Sequence, residues 1–161
     1  MSGFKGHILG GLIVSILVIY FIFSLGKHLN IDIFRTFIPD TQTLIVLLAI
    51  SVLFTLFPDV DTHSIGRKIF YSVFLITDIY LIFTGDYKSA SVLGLFAILP
   101  AVGKHRGWTH KKITGLIISS GFLVMPYFLN NISLYQSISY FGASLTGYYS
   151  HLLMDGILFK S

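Results

Sequence analysis

Four short stretches of the chain carry five of its six histidines together with three aspartates. They read GHILGG over residues 6–11, FPDVDTHSIGRK over 57–68, KHRGWTHK over 104–111 and GYYSHLLMDG over 147–156. Imidazole nitrogens and carboxylate oxygens bind divalent transition metals, and the chain has no cysteine to add a thiolate. This donor set favours zinc, with manganese or iron as alternatives, bound as one or two ions. The candidate ligands are His7, Asp59, Asp61, His63, His105, His110, His151 and Asp155.

The spacing within two of these stretches predicts a local geometry. A proline at position 58 ends the preceding helix, because the residue before a proline disfavours the helical region. If the chain then runs extended, Asp59, Asp61 and His63 project to the same side. His151 and Asp155 are four residues apart in an apolar helical run, so they lie one turn apart on one helix face.

The third stretch predicts a loop that turns into a helix. His105 and His110 are five residues apart, a spacing that does not place both on one face of a regular helix. Thr109 or a neighbour is expected to cap the helix that follows. Lys104 and Arg106 are expected to stabilise negative charge that develops on a substrate.

The remainder of the chain indicates membrane helices. Only 11% of the 161 residues are charged, against about a quarter in a soluble domain. A helix needs roughly 20 apolar residues to cross a bilayer. We therefore predict an all-α polytopic bundle of about six transmembrane or re-entrant helices, with four as a lower bound, in a single membrane domain over residues 1–161. The apolar runs are Ile8–Leu25, Leu44–Phe57, Ile69–Phe83, Ala90–Val102, Ile113–Leu129 and Ser137–Met154.

Alternating crossings would place the four polar stretches at one end of this bundle. The first apolar run is too long for a signal peptide, so we interpret it as a retained helix. The face that holds both termini then carries eight of the eleven basic residues and five of the six histidines. Because cytoplasmic loops are enriched in Lys and Arg, we expect this face, with the metal site, on the cytoplasmic side of the inner membrane.

The number of donors favours a hydrolytic site. Eight ligands from four helix ends fit two metal ions better than one tetrahedral ion. A metal activates water for attack on an ester or phosphoester, and a histidine outside the ligand set can protonate the leaving group. A site close to the headgroups favours a lipid-like substrate. We expect membrane lipids and this small molecule as partners, and no nucleic acid.

The four stretches, in this order, resemble the membrane-bound metal-dependent hydrolases, also described as LexA-regulated inner-membrane hydrolases. The resemblance extends over essentially the whole chain. Where the family has a histidine directly after the second aspartate of the second motif, this chain has Thr62, and His63 follows one residue later. The resemblance implies metal-site roles for His7, Asp59, Asp61, His105, His110, His151 and Asp155. It implies supporting roles for Ser64, Arg67, Arg106 and Thr109.

Two other interpretations of the sequence stay open. A divalent-metal transporter or membrane metal sensor would bind metal without hydrolysis, but transport sites lie near the bilayer midplane, where Asp78 is the only candidate. A structural membrane protein would bind no stoichiometric metal. Small residues in the last two apolar runs, among them Gly115, Gly121, Gly142 and Gly147, predict close helix packing within one chain or in an oligomer.

Overall fold

The computed structural model describes residues 4–29, 40–102, 108–130, 132 and 134–159. All regular structure within these residues is helical, and each of the six predicted apolar runs coincides with one α-helix. The helices are α1 (Phe4–Leu29), α2 (Thr41–Leu56), α3 (Ile65–Phe83), α4 (Tyr87–Val102), α5 (Lys112–Asn130) and α6 (Leu134–Met154). Two short 3-10 turns cover Phe57–Asp61 and Trp108–His110. The all-α prediction is confirmed for the described residues.

Two helical segments of the described residues are long and apolar enough to cross a membrane. They are Thr41–Asp61, with 21 residues, and Lys112–Leu129, with 18 residues. The first reaches this length because the 3-10 turn continues α2 beyond the apolar run that the sequence showed. Gly6–Phe21 and Tyr87–Pro100 are shorter apolar segments. The full set of about six membrane helices stays a prediction.

Helix α6 lies at the centre of one group of helices and packs against α1, α2 and α5. Small residues permit these close approaches, as predicted. A Cβ atom at Gly147 would overlap the backbone of Ser51, and one at Gly115 would overlap the ring of Tyr148. By contrast, a Cβ atom at Gly121 or Gly142 would have no heavy atom within 4 Å among the described residues outside its own helix backbone.

Hydroxyl groups connect α1, α2 and α6 inside this group. The side chains of Ser15 and Ser51 form a hydrogen bond between α1 and α2. The Thr55 hydroxyl lies 2.9 Å from the Ser51 carbonyl and 3.2 Å from the Gly147 carbonyl, so it joins α2 to α6. Since apolar side chains gain little from facing each other rather than lipid, such polar contacts help to fix how the helices are placed against one another.

Helices α3 and α4 form a hairpin. Gly85 makes the turn between them with a φ of 81°, a conformation that glycine adopts without strain. The hairpin contacts the 3-10 turn that follows α2. The rings of Phe70 and Phe74 are stacked with centroids 4.3 Å apart, and Phe70 meets Phe57 edge-on at 5.7 Å. Aromatic packing therefore joins the hairpin to the turn that carries Asp59.

Candidate metal site

Five of the eight predicted metal ligands lie together where helices from different parts of the chain end. His7 lies in the first two turns of α1, and Asp59 lies in the 3-10 turn after α2. His110 ends the 3-10 turn before α5. His151 is in the last turn of α6, and Asp155 follows that helix directly. Two groups of three have donor atoms within 4.8 Å of one another, and both groups contain His151.

The second predicted stretch has a different backbone from the one we expected. α2 ends at Leu56, just before Phe57 and Pro58, as the proline predicts. The chain then continues as a 3-10 turn instead of running extended, because the fixed φ of proline also suits the first positions of a helical turn. Asp59, Asp61 and His63 therefore do not share a side in the manner of a strand.

The backbone carbonyl of Asp59 holds this turn in place. It accepts hydrogen bonds from the Thr62 backbone at 3.0 Å, the Thr62 hydroxyl at 2.7 Å and the Ser64 hydroxyl at 3.1 Å. These bonds fix the residue whose carboxylate faces the cluster. His63 is exposed and belongs to neither group of donors.

His151 is the best-defined donor of the cluster. Its side chain is fully buried, and its Nδ1 donates a hydrogen bond to the Thr55 carbonyl at 2.7 Å. The Nε2 lone pair is thereby directed away from Thr55. This Nε2 is buried and has no hydrogen-bond partner among the described residues, and it lies 3.4 Å from Asp155 Oδ2 and 3.8 Å from Asp59 Oδ1.

The other donor pairs have similar separations. His7 Nε2 lies 3.5 Å from Asp155 Oδ1, and His110 Nε2 lies 3.8 Å from Asp59 Oδ1. Bonds of 2.0–2.1 Å to a tetrahedral zinc ion place neighbouring donor atoms about 3.3 Å apart. The spacing is therefore close to that of a ligand shell, and slightly wider at Asp59.

His7 and His151 lie parallel to each other beside one carboxylate. Their ring centroids are 4.0 Å apart, with 13° between the ring planes. Each Nε2 faces a different oxygen of Asp155. A carboxylate in this position can bind one ion through each of its oxygens.

Thr109 connects the two 3-10 turns. Its hydroxyl donates to Asp61 Oδ2 at 2.8 Å, and its oxygen lies 3.3 Å from His110 Nδ1. If Nδ1–H of His110 donates to that oxygen, the Nε2 lone pair is left for a metal. Thr109 is not at the N-cap position of α5, because the helix begins three residues later, at Lys112. Asp61 belongs to neither donor group and supports His110 through Thr109.

The supporting residues that the resemblance implies have mixed positions. Ser64 is the N-cap of α3 and accepts a hydrogen bond from the Arg67 backbone at 3.0 Å. The Arg67 guanidinium lies over the ring of Tyr71, 5.7 Å from its centroid. Lys104, His105 and Arg106 lie outside the described residues.

Two residues next to the cluster were missed by the sequence analysis. Thr55 provides the carbonyl that orients His151. The hydroxyl of Tyr148, a fully buried residue, donates to the carbonyls of Thr109 and Lys111 and so joins α6 to the turn before α5. Both are polar residues three or four positions from a predicted ligand on the same helical segment. This spacing is the sequence signal that could have identified them as neighbours of the cluster.

The comparisons with known proteins support the membrane part of the resemblance. A family model described as YdjM inner membrane protein matches residues 1–159. That description mentions neither hydrolysis nor a metal. No curated protein and no solved structure matches the chain.

Proposed function

We propose that this chain, which belongs to the YdjM inner membrane protein family, is a metal-dependent hydrolase that acts at one surface of the inner membrane. The observation that carries the proposal is the environment of His151. A buried imidazole nitrogen has no hydrogen-bond partner among the described residues, and it faces two carboxylates while a carbonyl holds the other ring nitrogen. Metal-binding histidines are oriented in this way by a second hydrogen bond.

The arrangement of the donors would suit two ions. His151 has one lone pair available, because Nδ1 is used on Thr55, so it would bind a single ion. His110, His151, Asp59 and one oxygen of Asp155 would hold that ion. His7 and the other Asp155 oxygen would hold the second.

The nitrogen and carboxylate donors suit zinc, with manganese or iron as alternatives. When bound, the ions supply an activated water and stabilise negative charge on an ester or phosphoester group. The chain's own residues orient the donors. Thr55 holds His151 and Thr109 holds His110, each through the ring nitrogen that faces away from the carboxylates.

The open side of the cluster is at Asp59 and His110. Side-chain exposure is 0% at His151, 5% at His7 and 7% at Asp155, but it rises to 14% at His110 and 31% at Asp59. A substrate therefore approaches Asp59 and His110 first. The buried donors hold the ions from behind.

An apolar cavity beside the cluster supports a lipid-like substrate. The cavity has a volume of about 360 Å³ and is lined entirely by apolar side chains of α1, α2 and α3. Ile8 and Leu56 line it near the cluster, while Leu48 and Val73 line it further along the helices. Leu48 lies eight residues before Leu56, so the cavity extends about 12 Å along α2. An alkyl chain fits this shape and chemistry.

In the membrane arrangement that we propose, about six helices span or re-enter the bilayer with the cluster on the cytoplasmic side. The excess of basic residues on the face with both predicted termini supports this orientation. The donors brought together in the described residues all lie at helix ends that meet. A transport site would instead need donors near the middle of the helices.

Lipid hydrolysis by the purified full chain tests the proposal. In detergent, with phosphoester and carboxyester lipids offered separately, we expect turnover that a chelator abolishes and zinc restores. Asp59→Asn removes a charged donor and should lower turnover about a hundredfold or more. The exposed His63→Ala is the matched control and should retain wild-type turnover.

Two results would overturn the proposal. One is undiminished hydrolysis by metal-free protein or by Asp59→Asn. The other is a combined result in which none of the lipids is hydrolysed and liposomes that contain the protein take up metal. That result would favour the transporter.

A further inference from the structure

The α3–α4 hairpin contains a partly buried acidic residue that the metal cluster does not use. Asp78 lies 13 residues after Ile65, or about 20 Å along α3 from the helix end beside the cluster. Its Oδ1 is buried and has no hydrogen-bond partner among the described residues. None of the ion pairs within that part of the chain includes Asp78.

This carboxylate lines a cavity between α3 and α4. The cavity has a volume of about 300 Å³, at the lower end of the range for small-molecule sites. Among the described residues outside its own helix backbone, a Cβ atom at Gly94 would meet no heavy atom within 4 Å, and Gly94 is part of the cavity wall, so the cavity extends to the α4 backbone. The lining residues include Tyr71, Phe74, Asp78, Leu93, Gly94 and Ala97.

A carboxylate among apolar side chains is costly unless a cation or a proton neutralises it. Arg67, one turn from Tyr71 on the same helix, does not do so, because its guanidinium lies over the Tyr71 ring. The cavity therefore offers one carboxyl group to whatever occupies it.

The lining determines the class of occupant. Inorganic cations need several oxygen ligands, and Asp78 is the only carboxylate that the described residues place on the cavity wall. The other side chains are apolar apart from the Tyr71 hydroxyl. We infer that the α3–α4 cavity binds a hydrophobic organic monocation, such as a substituted ammonium, with Asp78 as its counter-ion and the apolar walls around its body.

Binding of benzyltrimethylammonium tests this inference. Its uncharged isostere, neopentylbenzene, has the same shape without the charge. Isothermal titration calorimetry of the full chain in nonionic maltoside micelles should show saturable binding of one cation per chain. Asp78→Asn should weaken it at least tenfold, and Gly94→Leu should do the same by filling the cavity. The affinity of the uncharged isostere should be the same for wild type and Asp78→Asn.

Two controls isolate the cavity. Hydrogen bonds from the side chain and backbone of Ser89 hold the pKa of Asp86 below its usual value, so this acid already has its partners at the start of α4. Asp86→Asn keeps a good helix cap and should bind the cation like wild type. Asp59→Asn alters the metal cluster and should also leave cation binding unchanged, which separates this inference from the proposed hydrolase function.

The inference is overturned by equal cation binding in wild type and Asp78→Asn, or by the absence of saturable binding in the wild type. Equal Asp78 dependence for the isostere would also overturn it, because the carboxylate would then act through packing. Gel filtration and thermal unfolding establish that each variant is folded. If Gly94→Leu does not fold, Gly94→Val and Asp78→Asn are used for the test instead.

Discussion

The helices around α6 and the α3–α4 hairpin are equally apolar in sequence but bury different side chains. Around α6 the buried residues include hydroxyls and imidazoles on α1, α2, α5 and α6, such as Ser15, Ser51, Ser119, Ser144 and His151. In residues 65–102 the buried residues of the described chain are Gly66, Phe70, Phe74, Ala90 and Pro100, and none is polar. The polar interior thus coincides with the helices that carry most of the candidate metal donors.

This difference indicates what would position the proposed metal site among apolar helices. Contacts between apolar side chains tolerate sliding, because lipid offers similar contacts. Hydrogen bonds between helices tolerate much less sliding. The same holds for a glycine packed against the backbone of a neighbouring helix. The donors of the cluster must stay within a few tenths of an ångström of their places, and the contacts at Thr55, Thr109 and Gly147 supply that constraint.

The largest effect on stability is expected at Gly147. Its added methyl would overlap the Ser51 backbone, so Gly147→Ala should lower the free energy of unfolding by about 1–3 kcal/mol. Gly142→Ala on the same helix meets open space and should be neutral or slightly stabilising. Thermal unfolding in detergent measures both. Equal stabilities would show that α6 is not held tightly against α2.

A smaller effect, on metal affinity, is expected at Thr109. Thr109→Val keeps the shape but loses the hydrogen bonds to Asp61 and His110, and should weaken zinc binding about tenfold. Thr109→Ser should restore most of the affinity. The matched control in the hairpin is Thr77→Val, because the Thr77 hydroxyl donates to the Val73 carbonyl within its own helix. Competition with a zinc chelator measures the affinity, and unchanged binding in Thr109→Val would remove Thr109 from the site.

The smallest effect separates two adjacent tyrosines. Tyr148→Phe removes a buried hydroxyl that bonds the turn before α5 and should cost about 1 kcal/mol of stability. Tyr149→Phe removes a more exposed hydroxyl, bonded to the Lys112 carbonyl at 3.0 Å, and should change stability by less. Chemical denaturation in mixed micelles compares the two. A larger loss in Tyr149→Phe would contradict the buried connection between α6 and α5.

The helices could be predicted from the sequence because a backbone in lipid has to satisfy its own hydrogen bonds, so long apolar runs become helices. Alternating crossings also predicted that His7 and Asp155 lie at one end, and the structure brings them together. The turn after Pro58 could not be predicted, since proline suits both extended and helical continuations. The bond between Asp61 and Thr109 spans 48 positions and depends on tertiary packing that no local pattern shows.

Metal content of the full chain, purified without a histidine tag or chelator and measured by inductively coupled plasma mass spectrometry, tests the central claim most directly. We expect two zinc ions per chain in the wild type, the loss of at least one in His151→Ala, and wild-type content in His63→Ala. Less than one ion per chain in the folded wild type, or the same content in His151→Ala as in the wild type, would contradict the claim that these helix ends form a metal site.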